Sequence, residues 1–486
     1  MSKIMLRAAA GALIAAAAVC VLGAAIAVTA LSPRRDVPAH IAVFTPDGIN
    51  PELIGKVAGA HINVFEPGQL EKQLQKVVGS NTRVDLDLGA VLNRIRPPAQ
   101  LTTEYGVDEQ RQRKLLAPLA SNKLRDIPPD LEAIAILRPY MELIQRYQTQ
   151  VATVFVADEP YLNGISKAEL ERMAKTLRML FAEYEIRNVK LGVIFASGMV
   201  NADFARMVDR EASRYVRNID QYHQTLSEKA QAGTAAADEL QWLQHIEKHR
   251  LTTYDSAGNM YLAGGLPQGY DLFGFDFYLS TVLQDALYEN MLPELQKHAP
   301  RGACEIEKFS KMSELRAQLS FYQDGPIVPP SADNGNASID RARDKDRRLL
   351  DQLYTCRMAA ATNMLRKEIA KANSKAKIIL VTESSNNGVL EFDAMQNIEP
   401  GQPQLLIEAR VLDEVKRAVA FYGEEGKRGD IEALEFFTFD NTYDKSIHLN
   451  IGGFVDMPSV KAYIFKASEQ MMCRNSPKPK AAAACQ

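Results

Sequence analysis

Residues 152–184 read ATVFVADEPYLNGISKAELERMAKTLRMLFAEY, and this stretch decides the fold class. Its first part, Ala152 to Ala157, is a short run dominated by apolar and β-branched residues, which predicts a buried strand. Its last part, Leu170 to Tyr184, carries apolar side chains mostly three and four residues apart, which predicts an amphipathic helix. A strand followed by a helix that covers it is the repeating unit of parallel α/β folds.

Similar apolar runs, each followed by a longer connection, occur along most of the chain. They are Ile41 to Thr45, Ile62 to Glu66, Arg83 to Leu88, Lys190 to Ala196, Leu272 to Tyr278, Lys377 to Thr382 and Ala433 to Phe439. Most are too apolar for surface strands, as expected of parallel strands that are covered on both faces. Together with Ala152 to Ala157 they make eight strands, which matches a closed α/β (β/α)8 TIM barrel better than an open sheet.

Three connections are longer than one helix requires. The first spans Leu101 to Tyr147, and the second spans Asn201 to Tyr270 with a polar helical stretch around Asp220 to His249. In the third, Gln323 to Arg347 is rich in Pro, Ser, Asn, Asp and Gly, which predicts an exposed loop. Insertions that follow strands lie at the face of a barrel where sites form, so these segments are expected to wall a cleft.

The N-terminus has the pattern of an export segment. Lys3 and Arg7 precede a charge-free, mostly apolar run from Ala8 to Leu31, long enough to span a bilayer. Val28-Thr29-Ala30 is also a small-residue pattern of the kind that signal peptidase cleaves. A cleaved signal and an uncleaved inner-membrane anchor at residues 8–31 both remain open, and either predicts a periplasmic or secreted protein. The expected organisation is a signal or anchor with its linker at 1–37, the barrel at 38–472 and a flexible tail at 473–486.

Four cysteines follow the export segment: Cys304, Cys356, Cys473 and Cys485. An even number of cysteines in an exported chain makes disulfides chemically possible. Three pairings fit four cysteines, and locality favours Cys304 with Cys356 and Cys473 with Cys485. Free or partly paired thiols are the alternative.

The polar residues that close each run are the candidates for a site, since catalytic side chains of a barrel come from the C-terminal ends of its strands. These residues are mainly acidic or aromatic. They are Asp47, Glu66, Asp85, Asp87, Asp158, Glu159, Tyr161, Asp276, Tyr278, Glu383, Asn386 and Asp440. Charged residues at such positions also cap the helices that follow, so a structural role is the alternative for each of them.

Three of these strand ends resemble motifs of a large clan of retaining glycoside hydrolases built on this barrel. Asp158-Glu159-Pro160 resembles the Asn-Glu-Pro of the clan's fourth strand, and residues 378–383, Ile-Ile-Leu-Val-Thr-Glu, resemble its seventh. Phe275-Asp276-Phe277-Tyr278 is similar to its sixth strand, whose Tyr contacts the nucleophile. The motifs are short, although the resemblance covers most of the mature chain.

The resemblance implies Glu159 as the acid/base and Glu383 as the nucleophile. A retaining glycosidase needs two carboxyls about 5 to 5.5 Å apart, one to protonate the leaving oxygen and one to attack the anomeric carbon. The remaining candidates are expected to bind substrate, and they are Asp47, Asp87, Asp158, Tyr161, Asp276, Tyr278, Asn386 and Asp440.

The chain also departs from the clan's pattern. Asp158 stands where the clan has an Asn that donates to the substrate, and an ionised Asp can only accept. The single Trp, Trp242, lies away from the strand ends, so sugars are expected to stack on Tyr or Phe instead.

Composition and missing motifs exclude several other classes of function. A formal net charge of -3 leaves no basic excess for nucleic acid. His245 and His249 do not form a His-Glu-x-x-His zinc motif, and no nucleotide-binding or acyl-transfer motif occurs, so no metal or cofactor is expected. Two hypotheses remain, an exported glycoside hydrolase acting on an oligo- or polysaccharide, and a non-catalytic glycan-binding barrel that serves envelope or exopolysaccharide export or assembly.

Overall fold

The computed structural model describes most of the chain after the N-terminal segment. The described residues are 40–63, 66–92, 94–95, 125–160, 165, 167–196, 223–237, 239–240, 243–244, 247, 266–279, 291–304, 306, 309–319, 337–372, 374–386, 404–444 and 449–474. All of them belong to one compact unit, Ala39–Gln486. The predicted anchor at residues 8–31, Tyr161, Trp242 and the tail beyond Arg474 lie outside the described residues.

Eight parallel strands close into a barrel. They are β1 (His40–Phe44), β2 (Gly59–Asn63), β3 (Arg83–Asp87), β4 (Val151–Asp158), β5 (Lys190–Ala196), β6 (Leu272–Phe277), β7 (Lys377–Glu383) and β8 (Ile431–Phe437). Each strand pairs with its neighbours in the sequence, and β8 closes the ring by pairing with β1. The predicted (β/α)8 barrel is therefore confirmed.

The predicted run Ile62 to Glu66 was wrong in its bounds, because β2 occupies Gly59–Asn63. Glycine, alanine and histidine open this strand, and their low strand propensity hides it from sequence patterns. Glu66 is therefore not a strand end but the exposed residue directly before the helix Pro67–Lys76, where Pro67 occupies the first turn. The other seven strands lie within two residues of their predicted bounds.

Helices connect and cover the strands. The longer ones are α1 (Pro67–Lys76), α2 (Asp130–Arg146), α3 (Lys167–Glu183), α4 (Met291–His298), α5 (Ala337–Lys371), α6 (Gln404–Glu425) and α7 (Pro458–Arg474). Short helical turns occupy Gly89–Leu92, Met312–Arg316, Pro51–Leu53, Gly426–Arg428 and Phe454–Asp456, and short antiparallel pairs join Arg94–Ile95 with Arg125–Asp126 and Thr442–Asp444 with Leu449–Ile451. The predicted loop at Gln323 to Arg347 was wrong for its last part, because α5 begins at Ala337.

Among the described residues, apolar side chains form a larger and a smaller core. The larger lies between the barrel wall and the helices, as the apolar stripe of α3 at Leu170, Met173 and Leu177 illustrates. The smaller one lies inside the barrel, and we call it the apolar sector. It comprises Phe155, Ile194, Leu272, Ile379, Val381 and Ala433.

Glycines give the large interior side chains their space. A Cβ on Gly192 would lie 2.6 Å from Phe155 Cε1, and a Cβ on Gly274 would lie 2.9 Å from Ile194 Cγ1. Both glycines stand on strands that neighbour the residue they accommodate. The barrel is thus a packed core and not a pore.

The Cys304–Cys356 disulfide ties the segment after α4 to α5, and this predicted pairing is confirmed. Cys473, in the last turn of α7, is also disulfide-bonded, while its predicted partner Cys485 lies outside the described residues. Within the described part of the chain, no helix is both long and apolar enough to cross a membrane.

Candidate active site

Glu159 directly follows β4 at the C-terminal face of the barrel. The pairing of β4 with β5 shifts register between Phe155 and Asp158, which marks a bulge at this end of the strand. Glu159 itself has φ 45°, a left-handed conformation that a residue with a side chain adopts at a cost. Its N–H donates to the Ile194 carbonyl oxygen at 2.8 Å, which holds this backbone in place. Asp158 is exposed and Glu159 is partly exposed, so both carboxyls are accessible from the face.

Glu383 is the last residue of β7 and is almost fully buried, with 2% of its surface exposed. It stands in register with Phe437 of β8. Ser385 Oγ lies 3.5 Å from Glu383 Oε1, and Ser384 N–H donates to the Phe437 carbonyl oxygen at 2.7 Å. The carboxyl group of Glu383 is therefore set in the barrel mouth by a fixed backbone and not by a mobile loop.

Tyr278, the residue after β6, is affected by the charges of acidic residues at several strand ends. Burial, together with the negative charges of Asp276, Asp158, Glu383 and Glu159, raises the pKa of the Tyr278 phenol well above its usual range. Because such effects weaken with distance, the ends of β4, β6 and β7 each contribute at least one carboxyl whose charge acts on this phenol. The phenol stays neutral at physiological pH and can donate a hydrogen bond to one of them.

Aromatic rings continue from Tyr278 across the barrel mouth. The Tyr278 ring meets Phe437 edge-on with centroids 6.1 Å apart, and Phe437 meets Phe44 of β1 edge-on at 5.7 Å. Phe44 and Phe437 are both partly exposed. Their rings supply an apolar floor beside the carboxyls, and sequence patterns had marked strand-end Phe and Tyr only in general terms.

Two predicted substrate ligands form hydrogen bonds within the polypeptide instead. Asp440 accepts from Thr45 Oγ1 at 2.7 Å and from Asn50 Nδ2 at 2.9 Å, which joins the segments after β8 and β1. The side-chain oxygen Oδ1 of Asn386 accepts from Gly452 N–H at 2.6 Å. The backbone N–H of Asn386 donates to the Gly452 carbonyl oxygen at 2.9 Å. These two side chains brace the rim, and a substrate role for them stays a prediction.

The other predicted residues occupy varied positions. Asp87 Oδ1 accepts from Gly89 N–H at 2.6 Å, so this carboxyl caps the short turn Gly89–Leu92. Asp47 is exposed in the segment after β1, and Asp276 is largely buried within β6. The charges of Asp158, Glu159, Asp276 and Glu383 thus all act on the Tyr278 phenol.

A cluster of polar side chains lies inside the barrel, and we call it the polar sector. It comprises His61 of β2, Asp85 of β3, Thr153 of β4 and Glu435 of β8, each at most 4% exposed. His61 Nδ1 donates to Glu435 Oε2 at 3.1 Å. Sequence reasoning missed His61 and Glu435 because neither closes an apolar run: Glu435 lies within β8, and His61 precedes the run that was predicted to begin at Ile62.

Among the described residues, no group of three or more His, Cys, Asp or Glu side chains is arranged to hold a metal ion. The carboxyls whose charges act on Tyr278 are groups that can serve in acid–base and nucleophilic chemistry.

Comparisons with known proteins returned only distant similarity to solved structures. No protein-family model matches the sequence, and no curated protein matches it. A β-glucosidase from Exiguobacterium marinum matches over 86% of both chains, with 10% sequence identity and a TM-score of 0.35. The virulence factor SghA from Agrobacterium tumefaciens matches over 86% of this chain and 83% of its own, with 11% identity and a TM-score of 0.31. The fold assignment itself follows from the closed order of eight parallel strands.

Proposed function

We propose that this protein is an exported glycoside hydrolase that cleaves an oligo- or polysaccharide by a retaining mechanism, with Glu159 as acid/base and Glu383 as nucleophile. The observation that carries the proposal is the shared effect of Glu159 and Glu383 on the Tyr278 phenol. A two-carboxylate mechanism requires both carboxyls at one mouth of the barrel, and this shared effect on one phenol supports that arrangement.

In the first step, a Glu383 carboxylate oxygen attacks the anomeric carbon of the bound sugar while the glycosidic C–O bond breaks. Glu159 transfers its proton to the departing oxygen, which leaves as an alcohol. In the second step, water gives a proton to Glu159 and attacks the same carbon, which breaks the ester to Glu383. Both carboxyls return to their starting states, so no cofactor is consumed.

The neighbouring groups have separate roles in this proposal. The neutral Tyr278 phenol donates a hydrogen bond that orients a carboxylate, and the Phe44 and Phe437 rings offer the sugar an apolar face. Asp158 accepts hydrogen bonds from sugar hydroxyls. Backbone hydrogen bonds from Glu159 and Ser384 support the proposal, since a reacting group on a fixed backbone lowers the entropic cost of the reaction.

A screen for released reducing sugar on diverse bacterial polysaccharides tests the proposal. The wild type should release sugar, Glu383→Gln should lose almost all turnover, and Glu159→Ala should retain activity mainly on activated aryl glycosides, which need little protonation. Glu424→Gln removes an exposed carboxyl at the end of α6 and serves as the matched control. Binding of a glycan without release by any protein in the screen would support the non-catalytic barrel instead.

Export is the second part of the proposal. Its support is the apolar run Ala8 to Leu31 behind Lys3 and Arg7, and the Cys304–Cys356 disulfide, since structural disulfides form mainly outside the cytoplasm. A reporter fused after Val37 should be active only when it requires export. Activity of a cytoplasm-only reporter at the same junction would contradict this part alone.

A further inference from the structure

The polar sector is unusual because three ionisable side chains share a closed interior. His61, Asp85 and Glu435 are each at most 2% exposed. The His61 ring is stacked between Phe44 at 4.0 Å and Phe155 at 4.7 Å, so aromatic rings flank it within the barrel. Buried charges of this kind are tolerated only when they are paired and hydrogen-bonded.

The carboxyl of Asp85 is incompletely satisfied. Its Oδ2 atom is buried and makes no hydrogen bond, while Thr153 bonds the carboxyl from β4. A Cβ on Gly59 would lie 3.0 Å from Asp85 Oδ2, so the glycine leaves space beside this oxygen. A buried oxygen without a donor is much less costly on a protonated acid than on a carboxylate.

Charge balance then favours two protons in the cluster. A protonated His61 neutralises an ionised Glu435 across their 3.1 Å hydrogen bond, and a protonated Asp85 adds no charge. The charges of Asp87 and Arg83 of β3 also act on the cluster, and Glu435 acts on His40 of β1, whose pKa is lowered by burial. Loss of either proton leaves the barrel interior with an excess negative charge.

We propose that the polar sector is a pH-sensitive lock, in which His61 and Asp85 hold protons at mildly acidic pH and release them as the pH rises, loosening the β8–β1–β2–β3 side of the barrel. The stack of His61 on Phe44, and the contact of Phe44 with Phe437, connect this lock to the floor of the candidate active site. The lock does not depend on the proposed glycosidase activity.

The pKa shifts of Asp85 and His61 both make the folded protein less stable as the pH rises. Burial and the charge of Glu435 raise the pKa of Asp85 to about 7. Burial opposes protonation of His61, but the hydrogen bond and charge of Glu435, with Asp87 and Asp85, outweigh it and raise the pKa of His61. The folded protein therefore binds more protons than the unfolded chain. The difference arises at Asp85 from about pH 4 to 7 and at His61 from about pH 6.5 upward. The free energy of unfolding falls as the pH rises through these two ranges.

Thermal unfolding of the full chain between pH 4 and 8.5 tests the lock. The Asp85→Asn variant should unfold at a higher temperature than the wild type. The difference between the two unfolding temperatures should widen by a few degrees up to about pH 7 and be constant above it. Glu424→Gln, which changes an exposed carboxyl, should show a gap that does not vary with pH. A gap for Asp85→Asn that stays constant over the whole range would overturn the proposal.

Two spectroscopic measurements keep the test decisive if Asp85→Asn fails to fold. In Glu159→Ala, which lacks the acid/base carboxyl of the proposed mechanism, infrared spectra should show a protonated carboxylic acid at pH 6 that disappears by pH 8.5. Histidine NMR should show one ring that remains protonated above its ordinary pKa and is absent in His61→Gln. A Glu159→Ala protein with no protonated acid at pH 6, together with a wild type whose histidine rings are all neutral by pH 7.5, would also overturn the lock.

Discussion

The apolar sector and the polar sector fill the same barrel by different physical means. The apolar sector, on β4 to β8, is stabilised by burial of hydrocarbon, which is non-directional and independent of pH. The polar sector, on β8, β2, β3 and β4, is stable only while each charge has its partner. The effect of a mutation or of a change in pH on the stability of this barrel therefore depends on the sector in which the affected residue lies.

The largest expected effect follows from breaking the pair in the polar sector. His61→Leu leaves Glu435 buried without its partner, which should lower the free energy of unfolding by about 3–5 kcal/mol at neutral pH. Denaturant unfolding followed by circular dichroism measures this loss. The double variant His61→Leu with Glu435→Leu removes both charges and should recover most of it. A double variant no more stable than the single one would contradict the paired-charge account.

In the apolar sector, Ile379→Ala removes buried methyl groups and leaves a cavity. The expected loss is about 2–5 kcal/mol, against about 0.5–1.5 kcal/mol for the conservative Ile379→Val. Unlike the effect of Asp85→Asn, both losses should be the same at pH 5 and pH 8, because no titrating group is involved. A loss for Ile379→Ala that changes strongly with pH would erase the distinction between the sectors.

A smaller effect is expected from overfilling the same sector. Gly192→Ala would place a Cβ 2.6 Å from Phe155 Cε1, and this overpacking should cost about 1–3 kcal/mol. Gly423→Ala is the matched control, since it lies in α6 with no atom within 4 Å of the added Cβ. That helical substitution should stabilise by about 0.5–1 kcal/mol. Equal effects of the two substitutions would show that the interior is loosely packed.

Much of the fold could be predicted from the sequence because buried parallel strands are continuous apolar runs, as Lys190–Ala196 is. β2 was displaced in the prediction because Gly59, Ala60 and His61 carry no strand signal, although Gly59 serves a tertiary purpose as the space beside Asp85. The start of α5 was missed because a polar, charge-rich helix looks like a loop until its tertiary contacts are known.

The candidate site was predictable only in part. Glu159 and Glu383 could be singled out because they stand at the ends of β4 and β7, and their catalytic roles stay predictions. The bracing role of Asp440 could not be predicted, because its hydrogen-bond partners Thr45 and Asn50 are about 390 residues away in the chain. The His61–Glu435 pair joins strands at opposite ends of the sequence for the same reason.

The central claim is that Glu159 and Glu383 act together on one bound sugar, and covalent trapping tests it most directly. The wild type should be incubated with a panel of activated 2-deoxy-2-fluoro glycosides, which slow hydrolysis of a glycosyl-enzyme ester, and then digested for mass spectrometry. We predict one glycosyl ester on the peptide that contains Glu383, with accumulation that depends little on Glu159 because the leaving group is activated. An ester on a different carboxyl, or rapid hydrolysis of the parent glycosides with no trapped ester, would contradict the claim.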